Sequence, residues 1–461
     1  MFERYKVIHF VGIGGVGMSG IAEVLSNLGY KVTGSDLRES ETTRRLRDMG
    51  IQVYISHKAE NIDSAHVVVV SSAVREDNPE VLEAKRRAVP AIPRAEMLAE
   101  LARLKYGILV AGAHGKTTTT SLISTVLGHG GLDPTIIIGG KLKGIGSNAR
   151  LGRGDFLVAE ADESDGSFLT LSPTIAVVTN IDREHMDFFK SMETLSAAFL
   201  SFVNKVPFYG VAFLCAENDR LREIMPRIHR RFVTYGFSAS CDIIADRVEK
   251  AFMSTSFDVS YRSKNLGRFT LPTPGMHNVL NSLACIGVGL ELQMSVHDIR
   301  DALASFSGIQ RRFEFKGEAK GVRVYDDYGH HPTEVRATIA AAKDNLAYLS
   351  GSPRLFVVFQ PHRYTRTADL MDTFSSSFAG ADRLVLLDIY PAGERPIPGI
   401  TSQTLFDRVA KEGQAGVVYE KDRDEAVGRL AAELRSGDIL LTLGAGDVWK
   451  MGEAVLERLH D

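Results

Sequence analysis

Little in this chain of 461 residues offers covalent or membrane support. Its three cysteines, Cys215, Cys241 and Cys285, lie far apart with no metal or redox spacing between them. A disulfide framework and a cysteine metal site are therefore excluded, and buried thiols in a reducing cytosol are expected. No apolar run approaches the roughly 20 residues that span a bilayer. The opening MFERYKVIHF moves into a strand pattern with no apolar signal core, so a cytoplasmic protein without membrane insertion is expected. One-sided charge is missing as well. A net charge of −3 gives no electrostatic case for nucleic acid or an anionic membrane, so any phosphate binding must come from local geometry. Low-complexity tracts and short solenoid-type repeats are also absent from the sequence.

What is there reads as a soluble globular protein, 44% hydrophobic and 24% charged, too long for one ordinary core. Three segments separate by pattern. Residues 1–106 alternate short β-branched runs (6–11, 31–33, 66–70) with helical stretches (18–28, 79–87), which predicts a parallel sheet covered by helices. Residues 107–310 add strand-like runs at 135–138, 155–160, 175–179 and 210–215. The irregular alternation of 232–271 predicts a small antiparallel sheet, followed by a helix near Gly275 and one capped by Ser295. Residues 311–461 resume the βα rhythm, with strands at 354–359, 383–389, 416–419 and 438–443. The expected architecture is α/β in three domains: two Rossmann-like terminal domains around a central P-loop ATPase-like domain.

The stretch VAGAHGKTTTT at 110–120 carries the most chemistry. An apolar run ends at a glycine turn (Gly112, Ala113, His114, Gly115), and a helical segment starts at Lys116, Thr117 and Thr118. Backbone N–H groups at such a turn favour an anion; Lys116 adds a positive charge, and the Thr117 hydroxyl suits a magnesium ion. The spacing departs from the usual P-loop, since Val110 stands where the first glycine is expected. Downstream, EADESDGSF sets Glu160, Asp162, Glu163 and Asp165 at a strand's end, a density that is costly unless the carboxylates face water or a cation. Strand alternation lets at most two of them share a site, and Glu160, first beyond the apolar run, leads as magnesium ligand. Asn180, Asp182 and His185 of NIDREHMD reach the same edge if their strand is a neighbour.

At the front, Gly12, Gly14 and Gly17 stand in G-x-G-x-x-G spacing between strand and helix, with Asp36 at the distance of a ribose-binding acid. Ser71 and Ser72 follow a further strand, where a ligand crevice or a helix cap is expected. Alone, this fingerprint fits a nicotinamide-dependent oxidoreductase, which would leave the P-loop, Glu160 and His185 unused. A nucleotide-gated switch would leave the front fold unused. Later, DDYGHHPTE is a loop entering a helix at Pro332, and QPHRYTRT presents Arg363 and Arg366, suited to a carboxylate or phosphate. GAGDVWK reads as a packing turn.

Taken together, GAHGKTTTT, AEADESD, TNIDREHMD, GMHNVLN, QRRFE, DDYGHHPTE and QPHRYTRT resemble the Mur ligases, in order and over nearly the whole chain. The resemblance implies an ATP- and Mg2+-dependent amide ligase acting on UDP-N-acetylmuramate and L-alanine, as a monomer or weak homodimer. It implies that Gly12, Gly14, Gly15 and Gly17 hold the diphosphate of the nucleotide sugar, and that Lys116 and Thr117 serve ATP and magnesium. Glu160 and His185 become further metal ligands. His277, Asn278 and Asn281 fall near the adenine, and Arg312 and Asp327 near the phosphates and ribose. Tyr328, His330, Arg363 and Arg366 face the amino acid and the reacting centre. Ala113 departs from the family, where a threonine is usual, and no lysine stands at the spacing of the family's carbamylated one.

Overall fold

Valine-rich segments separated by amphipathic helices build the first of three sheets. The structure, a computed structural model, describes residues 5–71, 73–142, 147–414 and 416–460. The first sheet comprises β1 (Val7–Val11), β2 (Lys31–Asp36), β3 (Gln52–Ile55), β4 (Val67–Val70) and β5 (Ala91–Pro93). They lie in the order β3-β2-β1-β4-β5 with every neighbour parallel. Central β1 is buried on both faces, as a parallel sheet between helices requires. The expected strands are here, and the two additional ones are the edges. None of β5's three residues is buried, which is why no apolar run announced it.

The second sheet holds β6 (Tyr106–Ala111), β7 (Thr135–Leu142), β8 (Ser147–Arg150), β9 (Phe156–Glu160), β10 (Ile175–Val178), β11 (Val211–Cys215), β12 (Phe232–Gly236), β13 (Ile243–Ala251), β14 (Ser254–Tyr261) and β15 (Lys264–Leu271). Its order is β15-β14-β13-β12-β11-β10-β6-β9-β7-β8. The strands from β13 to β7 pair in parallel, and β8 closes the edge antiparallel to β7. The third sheet is β16 (Glu314–Ala319), β17 (Val322–Asp327), β18 (Leu355–Phe359), β19 (Arg383–Leu386), β20 (Val417–Tyr419) and β21 (Ile439–Leu443), in the order β16-β17-β21-β18-β19-β20. Here β16 is antiparallel to β17, a hairpin the sequence reading did not anticipate, and the others are parallel. Side chains alternate across this sheet. Leu355, Val357, Phe359, Leu441 and Leu443 feed one core, and Phe356, Val358 and Leu440 the other.

By its contacts the chain forms two compact units, one of residues 1–246, 259–267 and 280–306, the other of 247–258, 268–279 and 307–461. Within the first unit, the helix Val16–Asn27 lies against β7 and β8. A Cβ on Gly20 would sit 3.2 Å from the Ala149 methyl, and Asn148 Nδ2 donates to Val16 O at 2.5 Å. All three cysteines are buried and free. Among the described residues no helix is long and apolar enough to cross a membrane.

Candidate active site

The phosphate loop lies between β6 and the helix Lys116–His129. Gly115, the cap residue, has φ +82°, a left-handed conformation that costs glycine nothing. It offers no side-chain cap, so the first N–H groups of the helix stay open to an anion. The end of β10 stitches the loop in place. Asn180 Oδ1 accepts His114 N–H at 2.9 Å, while Asn180 Nδ2 and Thr179 Oγ1 donate to His114 O at 3.0 and 2.5 Å. Because β9 and β10 flank β6, with Val110 opposite Glu160 and Ala111 opposite Val178, the three strand ends share one rim. Asn281 belongs to the same place: a Cβ on Gly115 would lie 2.7 Å from its Oδ1.

Lys116 is folded back onto the loop. Its Nζ donates to Gly112 O at 2.5 Å and to both Glu163 oxygens at 2.9 and 3.0 Å. Burial opposes the ammonium's charge, but the carboxylates of Glu163 and Asp162 more than offset this and hold its pKa above the ordinary value. Burial likewise pushes Glu163 up to about 7, against the pull of Lys116. Ligand atoms of Glu163, Glu184 and His185 lie within 4.8 Å of one another, so His185 joins the Lys116 side of the rim. Thr117 is buried in the first helical turn, and Thr118 follows it, half-buried. Glu160 faces the other way along the rim, its Oε1 accepting Gly139 N–H at 2.6 Å. Glu163 is thus the carboxylate that meets Lys116. It sits in the loop after β9, where strand parity no longer predicts direction.

The front turn is held by β2. The carbonyl of Ser35 accepts Gly12 N–H and Ile13 N–H, each at 2.9 Å, and Asp36 Oδ2 accepts Gly14 N–H at 2.9 Å. One Asp36 oxygen therefore braces the turn itself. Gly15 caps the helix Val16–Asn27 without a side-chain bond. Beside Gly17 lies Arg94, whose Nη1 would be 2.9 Å from a Cβ there. Arg94 also pairs with Asp162 at 3.3 Å, next to Glu163, and so connects the two turns; nothing in the sequence pattern singled it out. Ser71 adjoins Gly12 and, with Lys85, Arg94, Asp165 and Ser167, lines a cavity of about 220 Å³. Ser72 lies outside the described residues.

The second unit gathers the remaining candidates. Asp327 accepts Phe313 N–H and Gly329 N–H, both at 2.7 Å, and burial lifts its pKa to about 6 despite Arg312. The Arg312 guanidinium lies 5.3 Å from the Tyr328 ring centre and 3.9 Å from Glu334. His330 Nδ1 is 3.0 Å from Tyr328 O, and its ring touches those of Tyr328 and His362. Arg366 reaches His362 Nδ1 at 3.3 Å, and Arg363 donates to Glu394 at 2.5 Å. Asn278 is tied to Pro274 O at 2.8 Å. His362, stacked on Tyr390, was passed over by the sequence reading although it stands inside QPHRYTRT. Burial, with His330 and Arg366 beside it, lowers the His362 pKa to about 3; burial also lowers His277 to about 4.

Both rings are therefore neutral in the fold but take a proton near pH 6.5 when unfolded. Their contribution to stability is intact above pH 6.5 and is lost as pH falls toward 4, because the unfolded chain then binds more protons. We expect roughly 1 kcal/mol per histidine at pH 5, allowing for solvent near both rings. Denaturant melts of His362→Asn between pH 7.5 and 5 should show a flatter acid limb than the parent; an identical limb would remove His362 from this account.

Three family models match in succession: "Mur ligase family, catalytic domain" over residues 7–106, "Mur ligase middle domain" over 110–289 and "Mur ligase, glutamate ligase domain" over 311–446. The chain belongs to the Mur ligase family, a family of ATP-dependent amide ligases of peptidoglycan synthesis. It is 57% identical to the UDP-N-acetylmuramate–L-alanine ligase of Geobacter sp. (strain M21), covering 100% of this chain and 99% of that one. It is 55% identical, with the same coverage, to the enzyme of that name from Geobacter sulfurreducens. The crystal structure of UDP-N-acetylmuramate-alanine ligase from Thermotoga maritima superposes with a TM-score of 0.82 at 29% identity, covering 98% of each chain.

Proposed function

We propose that this chain joins L-alanine to the carboxylate of UDP-N-acetylmuramate at the expense of ATP, giving UDP-N-acetylmuramoyl-L-alanine, ADP and phosphate. This is the first amino-acid addition in peptidoglycan precursor synthesis. The observation that carries the reading is Lys116 at an uncapped helix N-terminus, on the rim where β6, β9 and β10 end, in a chain similar over its full length to ligases of that name.

A carboxylate is a poor electrophile, so the reaction needs an activated acyl group. The sugar's carboxylate oxygen attacks the γ-phosphorus, the bond to the β-phosphate oxygen breaks, and ADP leaves behind an acyl phosphate. The uncharged alanine amine then attacks the acyl carbon, phosphate departs with the bonding pair, and the nitrogen releases one proton as the amide forms. The protein's work is positioning and charge stabilisation. Lys116 exchanges Glu163 and the loop carbonyls for the triphosphate. Arg363 and Arg366 present guanidinium groups suited to the carboxylates, and His330 lies beside them. Asn281, His277, Asn278, Arg312 and Asp327 hold the rest of the nucleotide. Gly12, Gly14, Gly15 and Gly17, with Asp36 and Ser71, cradle the nucleotide sugar, and Tyr328 flanks the acceptor.

The donor set gathered at the rim, the carboxylates of Glu163 and Glu184 with the His185 imidazole, suits a divalent cation such as magnesium. Thr117 and His185 would hold it, with Glu160 turning from Gly139 N–H to join them, and the ion would neutralise phosphate charge. We place the enzyme in the cytoplasm, acting as a monomer or weak homodimer. A phosphate-release assay tests the reading: release should require ATP, UDP-N-acetylmuramate and L-alanine together. No release with alanine, or release indifferent to the nucleotide sugar, would sink it.

A further inference from the structure

A carboxylate is completely buried behind the front glycine turn, in a place where chemistry has no use for it. Glu80 is the second residue of the helix Pro79–Arg86, whose cap, Asn78 Oδ1, accepts Glu80 N–H at 2.9 Å. Side chains from four other segments converge on it. Ser35 Oγ donates to Oε2 at 2.6 Å, and His57 Nδ1 lies 3.0 Å from Oε2 and 2.9 Å from Ser35 Oγ. Asn61 Nδ2 donates to Oε1 at 2.5 Å. His9 Nε2 stands 3.7 Å from Oε1, and its Nδ1 is 2.8 Å from Thr33 Oγ1. Burial opposes the charge, but the nearby His9 ring and the hydrogen bonds from Ser35 and Asn61 outweigh it and keep the carboxyl below its ordinary pKa; the positive end of the helix adds to this.

A sheet does not need such a group for stability, since apolar residues of similar volume often serve as well or better. What Glu80 fixes is Ser35. The residue whose hydroxyl it holds also offers its carbonyl to two successive turn N–H groups, Gly12 and Ile13, while its neighbour Asp36 takes Gly14 N–H. Two residues of β2 thereby set the backbone from Gly12 to Gly14, which in turn aims Gly15 and the uncapped start of the helix Val16–Asn27.

We propose that Glu80 is a positioning residue for the diphosphate of the nucleotide sugar, acting through Ser35 on the glycine turn. This rests on the reading of that turn given under Proposed function. The test is steady-state kinetics on the full-length enzyme. Glu80→Gln keeps the shape but loses the charge; its KM for UDP-N-acetylmuramate should rise about tenfold, with kcat and the KM for ATP within about twofold. Ser35→Ala, which removes only the hydroxyl, should move the same constant in the same direction by about threefold, and it carries the test if Glu80→Gln does not fold. Thr33→Val breaks the His9 arm, which does not reach the turn; it should lower thermal stability and leave that KM alone. A sugar KM unchanged in Glu80→Gln and Ser35→Ala, beside an active parent, overturns the positioning role alone. So does a parallel fall of all constants with melting temperature. A parent enzyme indifferent to the nucleotide sugar overturns the reading of the turn and the proposal with it.

Discussion

Lys116→Ala is expected to cut turnover at saturating ATP on the order of a hundredfold or more. In the structure the ammonium is the cation of the loop: it touches Gly112 O, Ala113 O and both oxygens of Glu163, from a position half-buried at the first helical residue. As a pentavalent phosphoryl group forms, negative charge grows on its outer oxygens, and a nearby fixed cation stabilises that state more than the ground state. The loss should appear in kcat as well as in the KM for ATP. Unfolding is not an alternative explanation, for a reason the geometry supplies. Glu163 is already pushed up to about 7 with Lys116 beside it, so removal of the cation raises it further. Near neutral pH the Glu163 carboxyl then takes a proton, and Asp162 keeps Arg94 at 3.3 Å as its counter-charge. Thermal melts at pH 7 should accordingly show a small shift beside the large kinetic loss. Turnover near that of the parent would remove Lys116 from the reaction.

How far the sequence carried depended on what kind of signal each residue gives. Strands with continuous apolar runs were legible: 6–11, 66–70 and 175–179 appear as Val7–Val11, Val67–Val70 and Ile175–Val178. Edge strands such as Ala91–Pro93 bury nothing and left no run to find. The expectation that β6, β9 and β10 are neighbours with their ends on one rim is met, because parallel βα units put loop chemistry at the carboxyl ends of strands. The direction of individual side chains beyond a strand's end was not legible. Glu160 and Glu163 lie three residues apart, yet one meets Gly139 N–H and the other Lys116. Long-range partners were the least visible. Arg94 and Asp162 are 68 residues apart, and Glu80 and Ser35 are 45 apart; neither pairing has a local pattern.

The same holds for Arg311, which stands beside Arg312 in QRRFE and shares the Tyr328 ring with it, but pairs with Asp326 where Arg312 faces Glu334. Arg311→Ala is expected to destabilise the C-terminal unit by about 3 kcal/mol at pH 8, the lower end of the cost of breaking a buried ion pair. Arg311 Nε lies 2.9 Å from Asp326 Oδ2, and Asp326 is only 1% exposed. The rest of the guanidinium donates to Gly444 O at 2.6 Å and to Gly446 O at 2.9 Å, fastening the turn after β21, and its Cζ lies 5.1 Å from the Tyr328 ring centre. GAGDVWK is indeed a packing turn, and Arg311 is what it packs on. Without the cation, Asp326 keeps the Thr442 hydroxyl at 2.7 Å but has lost its counter-charge. Burial already raises its pKa above the ordinary value while Arg311 pulls the other way, so the variant's pKa must climb further. A carboxyl whose folded pKa is raised binds its proton more tightly in the fold than in the unfolded chain. The variant therefore recovers stability as pH falls through that raised pKa, and its deficit is greatest above it. Denaturant melts at pH 8 and 5.5 should show the gap between Arg311→Ala and the parent narrowing at the lower pH. Arg311→Ala/Asp326→Asn should regain part of the loss at pH 8, since the second change removes the orphaned charge. A deficit that ignores both pH and the second substitution would mean that the contacts of Arg311 with Gly444 O and Gly446 O, and not its charge, hold this corner of the domain.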